Sequence, residues 1–209
     1  MRKLFGLMLG CLMVLSAACV FGEGEIYVSS VKKMPAKAGA SAGSKVTVVL
    51  NDCLEVRDIT ISKSEGKVSI QYPTYVSKNG KEYPQFEVLS EQARTEIEKA
   101  VATEKPSEKS SKTLTFKVAK LSKMKRQSSL LAFVSVDFNN AVRVECKVMN
   151  SKKGPWISWP AAKDEKSGKY LKQILIVNQN VKNVVENSIM KKYKDSGAEQ
   201  SEEGSVTEE

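Results

Sequence analysis

KGPWISWPAAKDEKSGKY, residues 153–170, decides how the rest of the chain is read. A glycine turn leads into a short run with Trp156 and Ser158 on one side and Ile157 and Trp159 on the other, which is the period of a strand. Pro160 ends the run at a point where no further ladder donor is needed. A charged loop with Lys163, Lys166, Gly168 and Lys169 follows and closes on Tyr170. GKVSIQYPTYVSKNGKEY, residues 66–83, repeats the order: an alternating run, Pro73, a loop with Asn79 and Gly80, then Tyr83.

Working outward, Pro73 and Pro160 stand 87 residues apart. At that spacing Val31 falls on Val118, Lys33 on Lys120, Val49 on Val136, Ser64 on Ser151, Ile70 on Ile157, Tyr83 on Tyr170 and Gln92 on Gln179. Conservative partners join them: Asp58 with Glu145, Ile61 with Val148, Tyr72 with Trp159 and Ile97 with Val184. One register held over this distance is the mark of a duplicated unit. The expected division is a first module at 25–104, a polar proline-containing linker at 105–112 and a second module at 113–194.

Within the second module TLTFKVAKL (113–121), LLAFVSVDF (130–138), AVRVECKVM (141–149) and PWISWP (155–160) read as strands. Asn139-Asn140 is a two-residue hairpin signal. The first module offers EIYVSSV, KVTVVL, a turn at Asn51-Asp52, LEVRDITIS and KVSIQYP. A helix closes each copy. Ser90 caps the first, with Ala93, Ile97, Ala100 and Val101 as its apolar face. Asn178 or Asn180 caps the second, with Val181, Val184, Val185, Ser188 and Ile189 as the stripe and Lys191 and Lys192 near its negative end. The fold class is therefore α+β: two repeated modules, each an antiparallel meander of about four strands plus a C-terminal helix. Roughly 80 residues make a small core, so the two modules are expected to pack together as a pseudo-dimer within the chain.

The amino terminus, MRKLFGLMLGCLMVLSAACVFGEGE, has two bases, an apolar run from Leu4 to Leu15 and then small residues. That is the layout of a signal peptide over residues 1–22, and the run is short for a membrane span. Two processing readings stand side by side. Cleavage after Gly22 puts Val20 and Gly22 at the −3 and −1 positions. Alternatively Ser16-Ala17-Ala18-Cys19 is a lipoprotein box, the signal ends at 18, and a lipid on Cys19 anchors the chain to a membrane. Either predicts an exported protein: periplasmic, envelope-anchored or extracellular. A cytoplasmic location follows only if the leader is misread.

The formal charge of +9 is unevenly spread. Residues 195–209 carry six acids and no base, and read as a disordered acidic tail. Residues 23–194 hold 31 bases against 18 acids. Such a body attracts polyanions, whether nucleic acid or an anionic envelope polymer, although scattered lysines also suit a plain solvated surface. The candidate polyanion contacts are Lys163, Lys166, Lys169, Lys191 and Lys192. Trp156 and Trp159 read first as strand packing and second as stacking platforms.

With no histidine in the chain, the commonest general base and metal ligand are both missing. GxSxG, a Walker loop, GxGxxG and CxxC do not occur. The expectation is a non-catalytic protein without cofactor or metal. Cys53 and Cys146 are either one bridge or two small buried residues on strands.

This order of features resembles the SpoVG family, the septation or stage V sporulation protein G of bacteria. Trp159-Pro160-Ala161-Ala162-Lys163 stands at the family's strand-ending proline turn, and Gly168 and Tyr170 at its loop glycine and aromatic. Glu145-Cys146 and Asp58-Ile59 stand at the acidic–aliphatic pair of the preceding strand, and the first copy keeps Pro73, Gly80 and Tyr83. The resemblance implies a small α+β domain that dimerises, with roles in septation and regulation and sequence-tolerant binding of DNA or RNA. A tandem copy is then a single-chain form of that dimer. Together with the leader, the expected function is an exported binding protein for a polyanion or a protein partner. The alternative is a nucleic-acid-binding regulator of the septation type.

Overall fold

A computed structural model describes residues 24–34, 44–64, 67–126, 128–164 and 167–198. Cys19 and the rest of the leader, Lys166 and residues 199–209 lie outside the described residues.

Two hairpins organise the chain. Asn51 and Asp52 have φ of 48° and 54°, and Asn139 and Asn140 have φ of 51° each. This left-handed pair is what a two-residue hairpin needs, and Asn and Asp tolerate it best among residues with a side chain. The first turn joins β2 (Ser44–Leu50) to β3 (Leu54–Ser64), and the second joins β9 (Leu130–Phe138) to β10 (Val142–Met149). β1 (Val28–Met34) pairs with β2, and β8 (Phe116–Lys123) with β9. On the far side, β4 (Lys67–Gln71) pairs with the second half of β3, and β11 (Trp156–Ser158) with the end of β10. Alternation decides the faces. Val142, Val144, Cys146 and Val148 are buried, whereas Arg143, Glu145, Lys147 and Met149 point outward and are half-buried. Each fully buried aliphatic side chain contributes about 1.5–3 kcal/mol.

The remaining places on β3 and β10 are filled crosswise. β7 (Phe86–Val88) follows the first hairpin system in sequence but pairs with β10, Phe86 opposite Val144 and Val88 opposite Val142. β14 (Ile174–Ile176) pairs with β3, Ile174 opposite Val56 and Ile176 opposite Leu54. Both five-stranded sheets thus contain one strand from the other half of the chain. The flanking bonds match: Glu145 N–H donates to Gln85 O at 3.1 Å and Arg57 N–H to Gln173 O at 2.7 Å. Phe86 and Ile174 are buried, and their burial stabilises the exchange.

Helix α1 (Glu91–Thr103) lies against β1, β2 and β7, and α2 (Gln179–Ala198) against β8 and β14. The Ser90 hydroxyl accepts from Ala93 N–H, and Asn178 Oδ1 accepts from Val181 N–H, so both caps hold the same helical position. Ala93, Ile97, Ala100 and Val101 are buried as expected. In α2 the buried residues are Val185 and Ile189, while Val184 is exposed. Val184 falls off the expected stripe because adjacent valines blur the period; Val181, Met190 and Tyr193 pack against the core beside Val185 and Ile189. The helix also continues through Ala198, four residues into the segment expected to be a tail.

Equivalent contacts recur 88 residues apart, not 87: the hairpin turns, the caps, and the Gln85 and Gln173 carbonyls all keep this spacing. Asp58, at φ 58°, is an extra residue bulged out of β3, where the register jumps from Val46–Ile59 to Val48–Val56. From Ile59 to Pro73 the spacing therefore falls to 87, and a loop one residue longer after Pro160 restores 88. Ile61 with Val148, Ile70 with Ile157 and Tyr72 with Trp159 lie inside that window and are true equivalents. Asp58 does not answer Glu145; Arg57 does, through the matching bonds to the Gln173 and Gln85 carbonyls. Outside the window the partners move by one. Val48 answers Val136, Tyr83 answers Leu171, Glu91 answers Gln179 and Ile97 answers Val185. On the outer strands Lys33 answers Leu121, but Val31 still meets Val118, because β1 and β8 carry bulges two positions apart.

At the centre, Asn51 Nδ2 donates to Glu25 O (3.1 Å) and Thr113 O (2.8 Å). Asn139 Nδ2 donates to the same two carbonyls, at 3.0 and 3.3 Å. Their side-chain oxygens accept from Tyr27 N–H and Thr115 N–H. Gly24 N–H bonds Asn139 O at 3.1 Å, and a Cβ on Gly24 would stand 2.9 Å from Asn139 Cγ, so the chain passes here only as glycine.

Candidate functional site

The outward side of the β8–β11 sheet is set by strand alternation. In one row Phe133 of β9 stands opposite Lys147 of β10, which stands opposite Ser158 of β11. In the next row Met149 stands opposite Trp156. A hairpin formed by β5 (Thr74–Val76) and β6 (Glu82–Pro84) lies over this face. Its rings, Tyr75 and Tyr83, have centroids 6.3 Å apart. Lys147 Nζ sits 4.8 Å from the Tyr75 centroid and Lys81 Nζ 5.1 Å from that of Tyr83. The loop expected between Pro73 and Tyr83 is thus a hairpin, turned at Gly80 (φ 74°). It is carried from one half of the chain onto the sheet of the other.

The second loop is also a hairpin, β12 (Ala161–Lys163) with β13 (Tyr170–Lys172). Gly168 at φ 67° serves its turn, and Ser167 Oγ donates to Asp164 Oδ2 at 2.7 Å. Pro73 O and Pro160 O accept from Gln85 N–H and Gln173 N–H at 2.9 and 2.8 Å. The two prolines therefore mark the bases of two hairpins.

Between β11, α2 and the β12–β13 hairpin runs a groove of about 880 Å³. Met149, Trp156, Tyr170 and Met190 supply its apolar lining, and Lys172 and Lys182 its positive charge. Trp156 is 48% exposed and Tyr170 73%. Trp159 is buried beneath, and its indole Nε1–H donates to Glu186 Oε1 at 2.7 Å, with Lys182 Nζ 3.0 Å from the same carboxylate. So the two tryptophans of the phrase divide: one packs, the other is offered to solvent. Tyr72 fills the Trp159 position in the first half. Burial pushes its hydroxyl up to about 12, Glu98 adds to the rise and Arg94 opposes it.

The five exposed aromatic side chains among the described residues are Tyr75, Tyr83, Phe133, Trp156 and Tyr170. Each belongs to this face, its overlying hairpin or the adjoining groove. Elsewhere on the same sheet side Arg143 forks onto the Asp137 opposite, Nε–Oδ1 2.6 Å and Nη2–Oδ2 2.9 Å, so its charge is spent internally. That hydrogen bond holds the guanidinium above its usual range. Burial pushes the neighbouring Glu145 carboxyl up, against a lowering hydrogen bond with Ser135.

Of the five lysines singled out in the sequence, Lys163 stands opposite Tyr170 in the hairpin, and Lys169 is the residue before it; both are exposed. Lys192 is elsewhere: its Nζ donates to Val118 O at 2.8 Å on β8, at the opposite edge of the sheet from β11, and Lys191 adjoins it on α2. These lysines do not form one cluster. Sequence reasoning misses Phe133, Tyr75, Lys81, Lys147, Lys172 and Lys182. Phe133 alone leaves a trace, as the large apolar residue on the outward phase of LLAFVSVDF. Cys146 is on β10, but Cys53 lies in the turn before β3; both are buried and unbridged, and burial raises both thiols.

Among the described residues no His, Cys, Asp and Glu cluster could hold a metal ion, and no helix is long and apolar enough to cross a membrane. Residues 115–195 match the SpoVG family model. The matched stretch holds Trp156, Trp159, Pro160, Gly168 and Tyr170, together with most of α2 and the groove. No curated protein and no solved structure matches the chain.

Proposed function

We propose that this is a non-catalytic, exported binding protein built from two SpoVG-like modules that interlock as a pseudo-dimer, and that its ligand is a polyanion of the cell envelope. The recurring turns, caps and crosswise strand support the reading of a first module, and the family match over residues 115–195 supports the second. The leader supports export. The observation that carries the binding reading is the gathering of exposed aromatic rings with Lys81, Lys147, Lys163, Lys169 and Lys172 on one face, drawn from both halves. Rings stack on flat or apolar-faced units of a polymer, and lysines meet its charges.

The test is a titration of the mature chain with an anionic polysaccharide, a single-stranded oligonucleotide and polyglutamate at two salt concentrations. Ring-bearing polymers should bind and polyglutamate should bind less. Replacing Lys147 and Lys172 together should lower the salt slope by about 2, near one per charge. Unchanged affinity in that variant would remove the reading. A second reading, a cytosolic nucleic-acid-binding regulator, is favoured by the same stacking rings. It requires oligonucleotide affinity well above polysaccharide affinity and an N-terminal mass with the leader intact.

A further inference from the structure

Around the groove the two halves share a frame but not a lining. Trp159 with Lys182 and Glu186 is matched by Tyr72 with Arg94 and Glu98. Around that common frame the cross-strand pair Met149–Trp156 answers Ser62–Ser69. Tyr170 and Lys172 answer Glu82 and Pro84 on the hairpins, and Met190 answers Ala102 on the helices. At each of these places the second half has a large apolar or a positive side chain, where the first has serine, glutamate, proline or alanine. The frame folds with either set, so folding alone does not account for the second.

The groove also holds an open strand edge. Among the described residues β11 pairs with β10 alone. Trp156 and Met149 stand on the outward side of that edge, and α2 brings Met190 and Lys182 to the inward side, where Trp159 bonds Glu186. An extended segment laid on β11 would bond it through the main chain and place successive side chains on the two sides in turn. Pro155 and Pro160 bound the edge, so the paired stretch is short and its register is set. Thioethers on both sides adapt to apolar side chains of differing shape. The charge selects an acidic occupant: Lys172 and Lys182 line the groove, and Lys163 and Lys169 stand opposite and beside Tyr170. The acids nearby are engaged, Glu186 by Trp159 and Lys182, and Asp164 by the Ser167 hydroxyl.

We propose that this groove docks an extended acidic segment of a partner protein, which pairs with the β11 edge and sets alternate apolar side chains against Trp156 and Met190, with its carboxylates on Lys172 and the hairpin lysines. A nucleobase or a sugar ring would use the indole and the phenol, but it would leave the strand edge and the methionines of both sides unused. The inference goes beyond the polyanion reading and does not depend on it; the two share Trp156 and Tyr170, so a docked segment and a polymer on that part of the face should compete.

The probe is an octapeptide alternating glutamate with valine, titrated into the chain while the two indole N–H signals are followed. The Trp156 signal should move, and the Trp159 signal, held by Glu186, should move less. The same peptide with lysine for glutamate should not bind. Proline in place of a central valine removes a ladder donor and should weaken binding severalfold. The double variant Trp156→Ser, Tyr170→Glu gives the groove the first half's residues, and should weaken binding about tenfold or more with an unchanged unfolding midpoint. Lys172→Glu, at an exposed hairpin position, is the second variant and should weaken it severalfold. A Trp156 signal that the acidic peptide leaves in place, equal binding of the lysine peptide, or parental affinity in both variants overturns the proposal. If a single-stranded oligonucleotide moves the Trp156 signal and the peptide does not, the groove belongs to the polyanion face and this proposal falls alone. If the peptide binds and no anionic polymer does, the docking stands and the polyanion reading falls.

Discussion

Asn51 and Asn139 each do two jobs: they accept a left-handed backbone and they bridge the same pair of carbonyls, one from each half. Asn139→Ala loses both and should cost about 2–4 kcal/mol in urea unfolding, from buried bonds and backbone strain together. Asn139→Gly keeps the backbone and should cost clearly less. Glu145 gives a pH test. Its folded carboxyl titrates above the unfolded one, so the folded state holds the proton more tightly and stability is lost as pH rises through the raised value. Glu145→Gln should therefore be more stable than the parent at pH 7, and the gain should vanish below the ordinary carboxylate value of about 4.3. The Asn-Asn hairpin is legible in the sequence because it is local chemistry. The sharing of Glu25 O and Thr113 O is not, because it joins residues as far apart as Glu25 and Asn139.

At the scale of elements, the long strands and both helices can be read from alternation, turns and caps. The short strands cannot. FEV and ILI are three residues each, too short to show a period, and their partner is chosen by which sheet edge is left open once β4 and β11 have taken part of β3 and β10. The even repeat spacing fails for a related reason: a bulge at Asp58 and a longer hairpin cancel, and neither has a sequence signal beyond one unpaired residue. The exchange predicts an effect at a distance along the chain. Ile174→Ala should cost about 2–5 kcal/mol. Amide exchange should accelerate at Leu54 and Val56, which β14 covers, more than at Ile61, which pairs with β4. Equal protection at all three would mean that β14 does not hold the first sheet.

For the whole molecule, the buried residues of both sheets and both helices belong to one core, so unfolding should be a single cooperative transition. The face of exposed rings and lysines is likewise a joint product. Tyr75 and Tyr83 come from one half, and Phe133, Lys147, Trp156 and Tyr170 from the other. The phrase at 153–170 points to Trp156, Tyr170 and the hairpin lysines, but the first half's hairpin reaches this face only through the crosswise fold. The most direct test is binding of a single-stranded oligonucleotide and of an anionic polysaccharide to the chain, compared with Tyr75→Ala and Trp156→Ala variants whose unfolding midpoints match the parent. If the face is built from both halves and binds a polyanion, each variant should weaken one of these ligands by about 1–3 kcal/mol per lost stacking contact. Parental affinity in both variants, or no affinity in the parent, would contradict it.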